Sequence, residues 1–314
     1  MRLVFAGSPP FAVDSFAALL AQDEPPVALV TTPPRRAGRG RKEVANPLVE
    51  MAEAAGVPTL RPEKASKPDF LDELAKLEPD LCVVVSFGQI LNQSFLDIPK
   101  LGCVNLHGSL LPRWRGASPI QAAIQAGDTE TGVCLQKMVL ALDAGAVLAE
   151  SKLSISPRET APELFARASS AGAELLVKFL NEMKDGPLPK GCEQNENQVT
   201  VCKKITSSDA LADWSISAEE MDRRVRALTG WPCLRTTLPD GEDLKIWEAE
   251  ITGGEGEPGT VLAADGEFVI SCGSGALRLL KVQRPGKSAM TSREFLRGSR
   301  IEIDDSLGCR IDES

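Results

Sequence analysis

Histidine is almost missing from this chain: one residue, His107, among 314. Any chemistry that needs an imidazole must therefore pass through that position. The same shortage argues against a mixed cysteine–histidine zinc centre, and the eight scattered cysteines include no Cys-x-x-Cys pair. They read as reduced thiols, mostly buried, with no metal. Long apolar runs are lacking as well. None reaches the roughly eighteen residues of a membrane span, and the opening Leu3-Val4-Phe5-Ala6-Gly7 is too short for a secretory signal. A cytoplasmic protein without membrane contact is expected. The first strand-to-helix turn, Ala6 to Phe11, has no Gly-x-Gly-x-x-Gly spacing, which argues against a nicotinamide cofactor. No Gly-x-x-x-x-Gly-Lys-Ser loop offers a cradle for ATP, and nothing around Ser109 resembles a nucleophile elbow, which argues against a covalent serine mechanism. Internal repeats are absent too.

What is present suits an ordinary soluble enzyme-sized chain. Hydrophobic residues make up 43% and charged residues 25%, enough to bury full cores in about two domains. The net charge of −9 argues against a whole-molecule field that gathers polyanions. Locally the balance reverses: Arg35, Arg36, Arg39, Arg41 and Lys42 crowd together, with Gly38 and Gly40 between them. Such a stretch is either a phosphate-seeking loop or a solvated surface loop.

Alternation of strands and helices governs the first part. Residues 2–6, 27–31 and 81–85 are short apolar runs of the kind buried in a parallel sheet, with helical spacing over 11–20, 46–55 and 69–77. This predicts right-handed βαβ units and an α/β, doubly wound, Rossmann-like sheet. Ser118 caps a helix that begins at Pro119 and closes at Gly127. A strand over 131–139, a turn over 140–145, a second strand to 155 and a long amphipathic helix over 162–183 follow. The first domain is expected over 1–183. Residues 184–206, rich in Pro, Gly and amides, read as a linker. The second domain, 207–314, opens with a helix behind the capping box Ser217–Glu220 and continues as five short strands near 234–238, 243–251, 259–264, 267–272 and 276–283. That pattern favours a small β-barrel, the oligonucleotide-binding type among the forms it fits.

The chemistry gathers around the lone histidine. Side chains in a strand alternate, so Asn105 and His107 face the same side at the carboxyl end of a strand, where open α/β sheets bind ligands. The competing reading is a core histidine with a satisfied hydrogen bond. Asp143, in the Gly-bounded turn after the next strand, is either a turn former or the carboxylate that orients the imidazole and favours its charged form. An amide, an imidazole and a carboxylate together suit acyl transfer to an amine through a tetrahedral intermediate, with no covalent enzyme adduct.

These residues also carry a family resemblance. The run from Asn105 through His107, Ser109 and Pro112 to Gln121, with Leu142-Asp143-Ala144-Gly145 downstream, resembles the folate-dependent formyltransferases, in particular those acting on an aminoacyl-tRNA. The likeness extends to Phe5–Ala12, Ala37–Gly40, Phe87–Leu91, Asp213-Trp214 and Gly286-Lys287. The resemblance implies transfer of the formyl group of 10-formyltetrahydrofolate to the amino group of methionine on initiator tRNA, without a metal. It implies Asn105, His107 and Asp143 as the catalytic trio. Ser109, Leu110, Leu111 and Pro112 would line the folate site, with Phe87, Gly88, Gln89, Ile90 and Leu91 forming an apolar slot for the pterin. Arg35, Arg36, Arg39, Arg41 and Lys42 would meet the tRNA, and the C-terminal barrel would hold it. Two alternatives stay open: a formyltransferase for a small amine such as glycinamide ribonucleotide or an amino sugar nucleotide, and a non-catalytic RNA-binding protein on the same fold. No obligate protein partner is evident.

Overall fold

The apolar runs at the start of the chain and at 81–85 form strands buried at every position, the pattern of a sheet covered on both faces. The structure, a computed structural model, describes residues 1–34, 45–184 and 186–308, together with the backbone of 36–37 and 42–43. In chain order the first elements are β1 (Leu3–Gly7), α1 (Ala12–Leu20), β2 (Ala28–Val30), β3 (Arg36–Ala37), β4 (Lys42–Glu43), α2 (Pro47–Ala54), β5 (Thr59–Leu60), α3 (Pro68–Ala75) and β6 (Leu81–Val85). After them come α4 (Gln93–Leu96), β7 (Cys103–His107), β8 (Arg115–Gly116), α5 (Pro119–Ala126), β9 (Glu130–Lys137), β10 (Val147–Ser154), α6 (Ala161–Met183) and β11 (Val201–Cys202).

Among the described residues, the main sheet has seven strands in the order β10-β9-β7-β6-β1-β2-β5. The β5, β2, β1, β6 and β7 strands run parallel, while β9 and β10 are antiparallel to their neighbours. Strand order reverses beside β1, the kind of place where the carboxyl ends of strands leave a crevice for ligands. The loops after β1 and β6 meet there, with Ser8 Oγ donating to the Phe87 carbonyl at 3.0 Å. Helix starts follow local chemistry: the Asn46 side chain accepts from Leu48 N at 3.0 Å and Pro47 occupies the first turn of α2. The core under this half of the sheet includes Val4, Val30, Phe70, Val84, Phe87 and Phe95.

The chain divides into two compact units, one of residues 1–119, 130–154 and 165–202, the other of 120–129, 155–164 and 203–314. The division differs from a simple cut near 183. Segment 155–164 goes with the second unit, where Arg158 Nη1 lies 2.6 Å from Asp222 Oδ1 and Arg226 Nη1 donates to the Glu159 carbonyl at 3.1 Å. The segment expected as a linker over 184–206 is tied to the first unit as far as Cys202, because β11 pairs in parallel with β8. Polar side chains and backbone bonds hold it, and these leave no apolar periodicity for a sequence to display.

The second unit adds α7 (Ala218–Leu228), β12 (Leu234–Thr237), β13 (Asp243–Thr252), β14 (Val261–Ala263), β15 (Phe268–Ser271), β16 (Ala276–Gln283), β17 (Met290–Thr291) and α8 (Ser292–Arg297). The capping box is formed: Ser217 Oγ accepts from Glu220 N at 3.2 Å, and the Glu220 side chain accepts from Ser217 N at 3.3 Å. The antiparallel sheet runs β12-β13-β16-β15-β14, with β17 beside β16. Its two edges are joined by the segment 304–308. Gly308 and Thr237 exchange backbone bonds of 3.0 and 2.6 Å beside β12, while Leu307 N donates to the Gly259 carbonyl and Val261 N to the Asp305 carbonyl, both at 2.8 Å, beside β14. This closure curls the sheet around Met221, Val225, Ile246, Phe268 and Leu279. Among the described residues no helix is long and apolar enough to cross a membrane.

Candidate active site

His107 ends β7 and is 6% exposed. Its Nε2 lies 2.9 Å from the Trp114 carbonyl oxygen. A carbonyl only accepts, so Nε2 carries a hydrogen in this arrangement and the ring is anchored through that atom. Trp114 presents the carbonyl from a left-handed conformation, φ 61°, which a bulky residue adopts only when its surroundings impose it. Here its own N–H donates to Thr200 Oγ1 at 2.8 Å. The other ring nitrogen, Nδ1, faces Asp143 Oδ2 at 3.7 Å. Nε2 is thus hydrogen-bonded to a carbonyl, while Nδ1 stands at ion-pair distance from a carboxylate without a hydrogen bond to it. The histidine is buried and partly satisfied, as a core residue would be, but one face of it is turned to a carboxylate.

Asp143 gathers the site. It is left-handed too, φ 49°. Its Oδ2 accepts from Gly116 N at 2.9 Å, and its Oδ1 accepts from Gln136 Nε2 at 2.9 Å and, at a longer 3.4 Å, from Asn105 Nδ2. The three side chains singled out in the sequence therefore converge. The Asn105 amide has two hydrogens, and the long contact to Asp143 occupies one of them. Gly145 closes the turn because nothing larger fits: a Cβ there would collide with the Lys137 carbonyl oxygen.

Two participants escaped the sequence reading. Gln136, next to the end of β9, is 2% exposed. In the sequence it only ends the apolar run Val133-Cys134-Leu135 ahead of Lys137, which does not mark it as buried. Gln194 lies in the supposed linker, where nothing distinguishes it from its polar neighbours. Its Nε2 donates at 2.8 Å to both the Asp143 and the Gly145 carbonyls, and its Oε1 accepts from Arg115 Nε at 2.9 Å. Arg115, buried in turn, pairs with Glu196 at 2.7 Å.

The remaining expected residues are more scattered in role. Ser109 is fully buried and spends its hydroxyl on the Arg113 carbonyl at 2.6 Å, so it does not stand ready as a nucleophile. Leu111 is buried, its N–H directed at Cys134 Sγ at 3.4 Å, while Leu110 and Pro112 are half-buried. In the 87–91 segment, Phe87 and Leu91 pack into the core and Ile90 is 91% exposed. Gln89 is fixed by Ala65 N, which donates to its Oε1 at 2.7 Å, and by its own bond to the Pro62 carbonyl at 2.9 Å. The segment thus offers backbone and Ile90 to its surroundings, with its larger ring turned inward. Of the basic cluster, Arg35, Arg39 and Arg41 lie outside the described residues. Arg36 and Lys42 enter only through the backbone pairing of β3 with β4.

The site is set up for acyl transfer by positioned donors. The thiol nearest in register, Cys134 opposite His107, is pushed up to about 12 chiefly by burial, so it stays neutral and takes no part as a thiolate. The sequence pattern described as "Formyl transferase" matches residues 1–180, and "Formyl transferase, C-terminal domain" matches 204–300. The chain belongs to the formyl transferase family.

Relatives within the family extend over nearly the whole length. The methionyl-tRNA formyltransferase of Methylococcus capsulatus is 45% identical over 94% of this chain and 96% of its own. That of Paramagnetospirillum magneticum is 43% identical over 98% of this chain and 100% of its own. Among solved structures, an N-formyltransferase from Helicobacter canadensis, in complex with folinic acid and dTDP-3-aminofucose, shares the fold with a TM-score of 0.66 at 17% identity, covering 90% of this chain and 99% of that one. HypX from Aquifex aeolicus, in complex with tetrahydrofolic acid, gives a TM-score of 0.61 at 19% identity over 98% of this chain and 50% of that one. Asn105, His107 and Asp143 all fall in the N-terminal formyl transferase match.

Proposed function

We propose that this chain transfers the formyl group of 10-formyltetrahydrofolate to the amino group of methionine on initiator tRNA, in the cytoplasm, giving N-formylmethionyl-tRNA for the start of translation. The observation that carries the reading is the convergence of Asn105 and His107 on Asp143, in a chain whose full-length relatives at 43–45% identity are methionyl-tRNA formyltransferases. The donor set fits a formyl group: an amide hydrogen and a ring nitrogen lie beside a carboxylate, while the Ser109 hydroxyl is spent on the Arg113 carbonyl and burial keeps the Cys134 thiol neutral.

The folate, when bound, supplies a formyl carbon that a neutral amine can attack. Asn105 Nδ2–H and the His107 Nδ1–H of the protonated ring are the donors for the oxygen on which charge develops, and one such donor is worth about a hundred- to a thousandfold in rate. The Nε2 hydrogen stays bonded to the Trp114 carbonyl, so the proton the ring can pass on is the one at Nδ1, and it would go to the folate nitrogen that leaves as its bond to the formyl carbon breaks and the bond to the amine forms. Asp143 stabilises the charged ring across the 3.7 Å gap and receives the proton lost by the amine, directly or through a water. Residues 109–112 and 87–91 would border the folate, the latter through backbone and Ile90. Arg35, Arg36, Arg39, Arg41 and Lys42 would neutralise tRNA phosphates, and the closed sheet of the second unit would hold the tRNA body.

Incubation with labelled 10-formyltetrahydrofolate and, in parallel, methionyl-tRNA, glycinamide ribonucleotide and an amino sugar nucleotide tests this. Label should enter methionyl-tRNA alone, with a yield that falls steeply as salt rises. Equal transfer to either small amine, or none to the tRNA, would overturn the assignment.

A further inference from the structure

We propose that Gln194 is a positioning residue for Asp143, acting as a clamp on the turn that aims the carboxylate at the imidazole. The inference rests on the formyl-transfer reading of the site. Asp143 holds a left-handed conformation, φ 49°, which aspartate tolerates better than most L-residues but still at a cost, so bonds from outside the turn help to keep it. Its carboxylate is bound by Gly116 N and Gln136 Nε2, both at 2.9 Å, which fixes the far end of the side chain and leaves the backbone to be held separately. The NH₂ of Gln194 does this. It bridges the carbonyls of Asp143 and Gly145 at 2.8 Å each, one hydrogen to each oxygen, across the turn.

The clamp is itself held. Gln194 Oε1 accepts from Arg115 Nε at 2.9 Å, and Arg115 pairs with Glu196 at 2.7 Å. Next to it, Cys192 and Val147 exchange backbone bonds of 2.8 Å in both directions. The amide is thereby fixed from the side opposite the turn. Without it, two carbonyls lose their donor and the turn can relax toward negative φ, which swings the carboxylate away from His107 Nδ1. The residue touches no reacting atom, and its effect is exerted wholly through Asp143.

The test compares Gln194→Ala and Gln194→Glu with the parent enzyme in the formylation assay. Glutamate keeps the length and the Arg115 contact but brings no N–H, so both variants should lose the clamp. The expected result is a fall in kcat of about tenfold to a hundredfold, the scale of a displacement near 1 Å, with KM for methionyl-tRNA and for folate within about twofold. In an Asp143→Asn background, adding Gln194→Ala should change kcat by less than about twofold, since the route through Asp143 is already cut. A second readout needs no turnover. His107 is the single histidine, so protein labelled with ¹⁵N-histidine shows one imidazole, and its ring nitrogen signals should move in Gln194→Ala.

Unchanged kcat, a change in KM alone, losses that multiply in the double variant, or unmoved ring signals would each overturn the clamp. If Gln194→Ala fails to fold, the near-isosteric Gln194→Glu carries the same comparison. A parent enzyme that formylates nothing, while its ring signals still respond to Gln194→Ala, would sink the functional reading and support the coupling.

Discussion

Replacing the Asp143 carboxylate by the amide of asparagine removes one charge and almost no volume. The charge faces His107 Nδ1 at 3.7 Å, and both side chains are largely withdrawn from water, at 12% and 6% exposure. Two unit charges at about that separation, in an effective dielectric near 20, interact by about 4 kcal/mol. If that interaction is made in full only when the ring is protonated, its loss appears as a fall in kcat of about a thousandfold. A second, smaller cost is structural. Gly116 N and Gln136 Nε2 both donate to the carboxylate, and an asparagine can offer an oxygen to only one of them. Setting an NH₂ against the other donor should cost about 1–3 kcal/mol of stability. The assay is kcat at saturating methionyl-tRNA and 10-formyltetrahydrofolate, with the melting temperature measured on the same preparations. Asp143→Asn should remain folded, melt several degrees lower and turn over about a thousandfold more slowly. A variant within tenfold of the parent would show that the carboxylate serves only the turn, and the electrostatic account of the trio would fail.

Three further outcomes follow from the same geometry. Gly145→Ala places a Cβ against the Lys137 carbonyl oxygen, which cannot yield as a side-chain end could; the 143–145 turn must shift, and a kcat that stayed at the parent value would contradict its coupling to catalysis. Asp222, 3% exposed, pairs with Arg158 at 2.6 Å and Arg226 at 2.8 Å, so Asp222→Ala should lower unfolding free energy by about 3 kcal/mol in urea titration, and a loss below about 1 kcal/mol would show the pair to be solvated. Arg39→Ala should raise KM for methionyl-tRNA and reduce the slope of log affinity against log salt by about one, while leaving KM for folate alone; an equal rise in both would remove the loop from tRNA recognition.

Much of the first unit was legible because its signals are local. Apolar runs such as 81–85 cannot be solvated, and their alternation with helical spacing requires strands joined by crossovers. Asn105 and His107 could be paired from the period of a strand, and Asp143 from its glycine-bounded turn. The second unit announced its strands through turn residues at regular spacing, but β17 and α8 are too short to show a period. The closure by residues 304–308 could not be read, because it consists of backbone bonds to Thr237, Gly259 and Val261, and backbone groups carry no sequence identity.

The same distinction separates what each level decided. Composition and periodicity determined the α/β class, the antiparallel character of the second unit and the strand end on which an imidazole must sit, since each depends on how a residue's apolarity compares with its near neighbours. Only the tertiary structure decided that the carboxylate of residue 143 reaches that imidazole, that Gln136 and Gln194 hold it there, and that an amide-rich stretch resembling a tether is part of the site. Those relations are made by polar bonds between segments 7 to 51 residues apart, and a hydrogen bond needs only one donor and one acceptor in the right place. No pattern along the chain records where that place will be.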